Sequence, residues 1–156
     1  MRYVLLISLL LFTSTLAACS YITDFVVVNE SGQPIEVTCR YKPLPGERPF
    51  EPYSPLAKIP ADRLRSRGGS EWQELTPSQY ELDRENRTAT VRVMPGEALR
   101  INRIHGYDGH EGSRVEEYPI EEISAAGVNG GFKYTGRMTL TSFSEVSGVL
   151  YTLTYK

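Results

Sequence analysis

Residues 35–42 alternate without a break, with Ile35, Val37, Cys39 and Tyr41 set against Glu36, Thr38, Arg40 and Lys42. The same period ends the sequence, where Val149, Tyr151, Leu153 and Tyr155 alternate with Leu150, Thr152, Thr154 and Lys156. Successive side chains on a strand point to opposite faces, so a period of two gathers one apolar face. No long stretch carries the helical period instead. A chain of this kind must pair strands and bury one side of the resulting sheet.

Other segments follow the same logic. Residues 22–28 form a β-branched run, and the turn cluster 29–33 leads into 35–42, so the two are expected to form a hairpin. Residues 88–94 place Ala89, Val91 and Val93 on one face; Pro95-Gly96-Glu97 then turns the chain into a returning strand at 98–104. Brief strands are expected at 79–82, 132–134 and 137–143. A final hairpin turns at 144–148. Residues 61–67 suggest a helical turn ended by Gly68-Gly69, and Trp72 and Leu75 lie in an irregular stretch. Residues 114–131 read as an acidic loop with at most one short strand, because Ala125-Ala126-Gly127 and Asn129-Gly130-Gly131 look like turns. Seven to nine short strands separated by turns predict an antiparallel β-sandwich of immunoglobulin-like architecture. A small β-barrel is the alternative. The Cys…Trp…Cys signature of true immunoglobulin domains is absent.

Residues 43–60 hold six of the ten prolines. Proline lacks the N–H that a sheet ladder needs. This segment is expected to cross between the two sheets as a long loop. Phe50, Tyr53 and Leu56 either pin it to the core or offer an apolar contact, and Phe50 and Tyr53 are the candidate partner contacts.

The amino end has a different character. Arg2 precedes an apolar stretch, residues 3–12, broken only by Ser8; Thr13-Ser14-Thr15 follows, then Leu16-Ala17-Ala18-Cys19. A membrane-spanning helix needs about 20 apolar residues, so this is too short for a comfortable permanent span and has the parts of a secretory signal. The tetrad resembles the lipobox of bacterial lipoproteins. The resemblance covers the leader alone. It implies that residues 1–18 are removed, with Leu16, Ala17 and Ala18 recognised by the lipoprotein signal peptidase. It also implies that Cys19 becomes the lipidated first residue of a single domain, 19–156. Ser20 stands where an Asp would retain the protein at the inner membrane of a Gram-negative cell. The implied address is therefore the periplasmic leaflet of the outer membrane.

Loss of the leader removes Arg2 and leaves 16 Lys+Arg against 19 Asp+Glu over 138 residues. That suits one domain, and a near-neutral balance gives no support to nucleic-acid binding. The chain has two cysteines. With Cys19 acylated, Cys39 has no intrachain partner, and its place on the apolar face of a strand predicts a buried, structural thiol.

Chemistry-bearing clusters are few. His105, Asp108 and His110 lie in one glycine-rich loop, and imidazole with carboxylate suits zinc or copper. Zinc motifs usually add further firmly placed ligands. Serine is abundant, yet neither a Gly-x-Ser-x-Gly elbow nor a Ser-x-x-Lys pair occurs, so no activated nucleophile is apparent. Glu111, Glu116, Glu117, Glu121 and Glu122 read as a solvated acidic face. Lys58, Arg63, Arg65 and Arg67 read as a solvated basic turn. Asn29-Glu30-Ser31 and Asn86-Arg87-Thr88 match the glycan acceptor pattern by chance composition of turns. The sequence thus points to a membrane-anchored envelope lipoprotein, a non-catalytic docking module for another envelope protein. Beyond the lipid on Cys19 no cofactor is expected. Metal or small-ligand binding at His105, Asp108 and His110 is the alternative, and a small hydrolase ranks last.

Overall fold

The computed structural model describes residues 22–43, 49–64, 71–105 and 118–156. Eleven strands are present among them: β1 (Ile22–Asn29), β2 (Ile35–Tyr41), β3 (Ala57–Pro60), β4 (Gln73–Glu74), β5 (Glu81–Asp83), β6 (Thr88–Val93), β7 (Glu97–His105), β8 (Ile120–Gly127), β9 (Gly130–Thr135), β10 (Ser144–Ser147) and β11 (Leu150–Tyr155). They form two sheets, ordered β10-β11-β1-β7-β3-β4 and β5-β6-β2-β8-β9. The sheets pack face to face as an all-β sandwich and do not close into a barrel.

The core lies between them. Phe25 and Val27 from β1, Leu99 and Ile101 from β7, and Tyr151, Leu153 and Tyr155 from β11 meet Ile35, Val37, Cys39 and Tyr41 of β2, with Val91 and Ile123 from its neighbours. Phe25 anchors one end with ring contacts to Tyr118, Tyr151 and Phe143 at 5.0, 5.3 and 5.4 Å. The alternation of 35–42 is realised as expected: the apolar set faces inward, while Thr38 meets Thr90 on the outer face at 2.9 Å.

β1 differs. Its β-branched run has no polar face because both of its faces are covered. Val26 and Val28 look away from the core and join Ile59, Ala98 and Leu150 in a second cluster, against which Ala61, Leu64 and Trp72 pack. A strand apolar on both sides belongs in the middle of a covered sheet. There it pairs with β7 antiparallel and with β11 parallel, the one parallel ladder among the described strands.

This placement corrects the expected hairpin. β1 and β2 lie in different sheets, so residues 30–34 arch across the end of the sandwich rather than closing a ladder. Buried Asn29 holds the arch: its Nδ2 donates to the carbonyls of Gln33 and Val93 at 2.9 and 3.0 Å, and its Oδ1 accepts the Ser31 N–H at 3.0 Å. That burial leaves Asn29 inaccessible as a glycan acceptor. β6 and β7 are likewise split between the sheets, by a turn through Gly96 at φ +73°.

Two further corrections concern the second half. Residues 120–127 are a full eight-residue strand paired with both β2 and β9. The consecutive acids Glu121 and Glu122 break the period of two because a register shift opposite Arg40 and Tyr41 accommodates the extra residue. The expected strand 137–143 is instead a helical turn, α1 (Met138–Thr141), and the expected turn 144–148 holds the edge strand β10. Gly136 at φ +58° redirects the chain out of β9 before α1 begins. The proline-rich segment does cross between the sheets, from β2 to β3, but its last four residues are themselves a strand of the six-stranded sheet.

Candidate docking surfaces

The strands define two ends. At one lie Ile22, His105, Tyr41 and Ile120; at the other lie Asn29, Ile35, Val93, Glu97, Gly127 and Tyr155. The described chain begins at the first, called here the near end.

His105 is the last residue of β7 and stands opposite Ile22 in register. It is exposed. Asp108 and His110 lie outside the described residues, as do Leu16, Ala17, Ala18 and Cys19. Among the described residues, no group of three or more His, Cys, Asp or Glu is placed to hold a metal ion.

Phe50 and Tyr53 both reach Tyr41 but differ in role. Phe50 is buried, with its ring 5.5 Å from that of Tyr41. It pins the crossing segment to the core and is not a contact surface. Tyr53 stacks on the outside of Tyr41 at 6.1 Å, donates its hydroxyl to the Lys42 carbonyl at 3.2 Å and remains 40% exposed. Exposed Ile22, Met138 and Val146 share the near end with it, whereas exposed Met94 and Val128 mark the far end.

Cys39 is buried as expected, and burial pushes its thiol up to about 12. A thiol held neutral in this way is neither a nucleophile nor a metal ligand at neutral pH.

Two grooves open at the far end. One, of about 490 Å³, runs past Lys58, Ile59, Pro60, Asp62, Arg63, Glu71, Gln73 and Glu97. Its charges are mutually engaged in part, since Lys58 donates to Glu97 at 2.9 Å and to the Arg92 carbonyl. The basic turn is thereby shortened: Lys58 belongs to this ion pair, Arg63 is exposed, and Arg65 and Arg67 lie outside the described residues. The other groove, of about 440 Å³, is shallow and lies beside Pro34, Glu36, Arg92, Ala126 and Val128.

One buried charge has no counterpart in the sequence reading. Arg100 is 2% exposed in the middle of β7. Its guanidinium sits 5.1 Å from the Trp72 ring, donates to the Pro55 carbonyl at 3.3 Å and approaches Glu74 only to 4.0 Å. Its Nε has no hydrogen-bond partner among the described residues. Desolvation, then the nearby Arg103, pushes its pKa below the ordinary arginine value. Arg103 is shifted the other way, chiefly by its hydrogen bonds to Asp24. Arg100 between Leu99 and Ile101 in the 98–104 strand and an unplaced Trp72 were the available signals; their meeting depends on a crossing that the sequence does not specify.

No protein family, curated protein or solved structure gives a significant match to the chain.

Proposed function

We propose that this chain is a lipoprotein of the cell envelope, anchored through Cys19, whose sandwich is a non-catalytic docking module for another envelope protein or assembly. The observation that carries the reading is the spacing between Cys19 and the fold. β1 starts at Ile22, three positions after the lipobox cysteine. At roughly 3.3–3.6 Å per extended residue, three residues reach at most about 10 Å, which bounds the distance from the anchor to the first strand. A domain held that closely meets partners at the membrane surface rather than across the periplasm.

The near end then faces the bilayer. Exposed Ile22, Tyr53, Met138 and Val146 fit that environment, where amphipathic and apolar side chains are favoured. The eight residues of β1 span roughly 26 Å at ~3.3 Å each, which lifts Met94, Val128 and the two grooves away from the headgroups toward a partner. Two or more acyl chains give stable attachment, at about 0.8 kcal/mol per buried CH₂. Ser20 after the cysteine favours the periplasmic leaflet of the outer membrane in a Gram-negative cell.

Fractionation of cells carrying the wild-type chain or Cys19→Ser tests the anchor. The wild type is expected in the membrane and the variant, unprocessed or released, outside that fraction. Chemical crosslinking in native membranes tests the docking role; recovery of lipid alone, with no protein adduct, would overturn it.

A further inference from the structure

Among the described residues the two sheets have four edges, protected unequally. β4 has two residues, β5 three, and β10 four with a register shift. Short or irregular edges discourage pairing with another chain. β9 has six residues in a regular ladder and no proline.

Its free side can be read from one bond. The Gly136 N–H donates to the Glu121 carbonyl at 2.8 Å. In an antiparallel ladder this sets the phase, so Gly130, Phe132 and Tyr134 bond to β8 through their registered partners Gly127, Ala125 and Ile123. Gly131, Lys133 and Thr135 therefore turn their N–H and C=O groups outward, and all three residues are exposed. Lys133 is the single charged side chain on the strand. It does not screen the edge, because it folds back over β8 to Glu122 at 2.9 Å. On the core side, half-buried Phe132 and Tyr134 stack at 5.2 Å along the open flank.

We infer that β9 accepts an extended strand of a partner protein, with an acidic side chain on the outer face sharing the exposed Lys133 ammonium with Glu122 and apolar side chains beside Phe132 and Tyr134 on the core face. Main-chain pairing supplies the attachment, and alternate side chains supply selectivity. The inference rests on the docking reading and names its site and partner chemistry. A second copy of this chain is a poorer occupant. A two-fold register centred on Phe132, Lys133 or Tyr134, the middle of β9, brings two Lys133 side chains opposite or diagonal on one face, where like charges repel.

The test uses the full-length chain in its native membranes, with a photoreactive residue at Thr135 and, separately, at Tyr53, Met94 and Val128. The adduct is mapped by mass spectrometry. The expected Thr135 adduct joins an extended partner segment in which acidic and apolar residues alternate. Lys133→Pro removes an outward N–H and no inward one, so it should leave the melting temperature within a few degrees while lowering the Thr135 adduct about tenfold or more. Lys133→Glu should lower it comparably, and Lys133→Arg should preserve it. If Lys133→Pro does not fold, the Glu and Arg pair decides. An adduct to residues 130–135 of a second copy, or one indifferent to Lys133→Glu, overturns the proposal. Adducts at Met94, Val128 or Tyr53 with none at Thr135 overturn the strand site and leave the docking reading standing. No protein adduct at any position overturns both.

Discussion

Arg103 grips Asp24 across the β1–β7 ladder with two parallel hydrogen bonds, Nε to Oδ1 at 2.7 Å and Nη2 to Oδ2 at 3.2 Å. The Asp24 side chain is 14% exposed. Arg100 lies on the same strand, and the Asp24 charge also acts on it. One carboxylate thus serves two guanidinium groups, one of them almost wholly withdrawn from water. Asp24→Asn keeps the shape and removes the charge. It should cost about 2 kcal/mol, within the range for hydrogen bonds to charged groups. Urea denaturation of the two proteins measures this, and an unchanged midpoint would contradict it.

Arg100 itself is a poorly paired buried charge. Replacing such a group by an apolar one of similar length is often neutral or stabilising. Arg100→Met should therefore be tolerated, with a loss under about 1 kcal/mol or a gain. Trp72→Ala should cost about 2 kcal/mol through lost packing on the second apolar cluster and loss of the cation–π contact. Trp72 is the sole tryptophan, so its emission reports this site in the Arg100→Met melt, and circular dichroism follows the melt of Trp72→Ala.

Alkaline pH should act through Cys39. Burial raises the thiol from its ordinary 9.0 to about 12. Above pH 9 the unfolded chain releases this proton and the folded chain keeps it. The unfolded state then binds fewer protons, and stability falls as pH rises, at about 1.4 kcal/mol per unit between 9 and 12. Tyr41, also raised by burial, adds to the decline above the ordinary tyrosine range. Cys39→Ala should abolish the portion that begins near pH 9. Equal slopes for wild type and variant in urea midpoints at pH 8, 9 and 10 would refute the assignment. The native thiol should also resist labelling reagents until the fold opens.

Two glycines make a sharper comparison. A Cβ on Gly131 would lie 2.3 Å from the Ala125 carbonyl oxygen, whereas one on Gly32 would meet nothing within 4 Å. Backbone cannot yield as a flexible side chain does. Gly131→Ala should cost more than about 2 kcal/mol, in the range of overpacked sites, while Gly32→Ala should stay within about 0.5 kcal/mol. Thermal melts of the pair settle the order.

β1 gives a test of the whole architecture. It sits between β7 and β11 and carries Phe25 and Val27 into the core. A chain starting at Ser20 retains the strand and should fold without its lipid. A chain starting at Glu30 leaves β7 and β11 without a common neighbour and should not fold. Far-ultraviolet circular dichroism distinguishes these outcomes.

The alternation of residues 35–42 announced β2, its inward face and the buried Cys39, because the period of a strand is local and survives any tertiary context. The strand at 88–93 and the all-β class were legible for the same reason. β8 was hidden because Glu121 and Glu122 stand side by side and share one cation: Arg40 lies 3.6 Å from Glu121 and 3.2 Å from Glu122, which also meets Lys133 at 2.9 Å. A bulge that adds one residue erases the period on which the reading depends. Phe50 and Tyr53 looked equivalent in the proline-rich segment, and only the position of Tyr41 separated a core ring from a surface ring.

Side-chain period and turn chemistry determined that this chain makes short strands and where most of them run, since both act over a few neighbouring residues. Which sheet each strand joins, why β1 runs beside the final strand in parallel, and how Arg100 came to lie under Trp72 were decided by tertiary packing. Those choices follow from covering both faces of one apolar strand, and that requirement is met by residues distant along the chain.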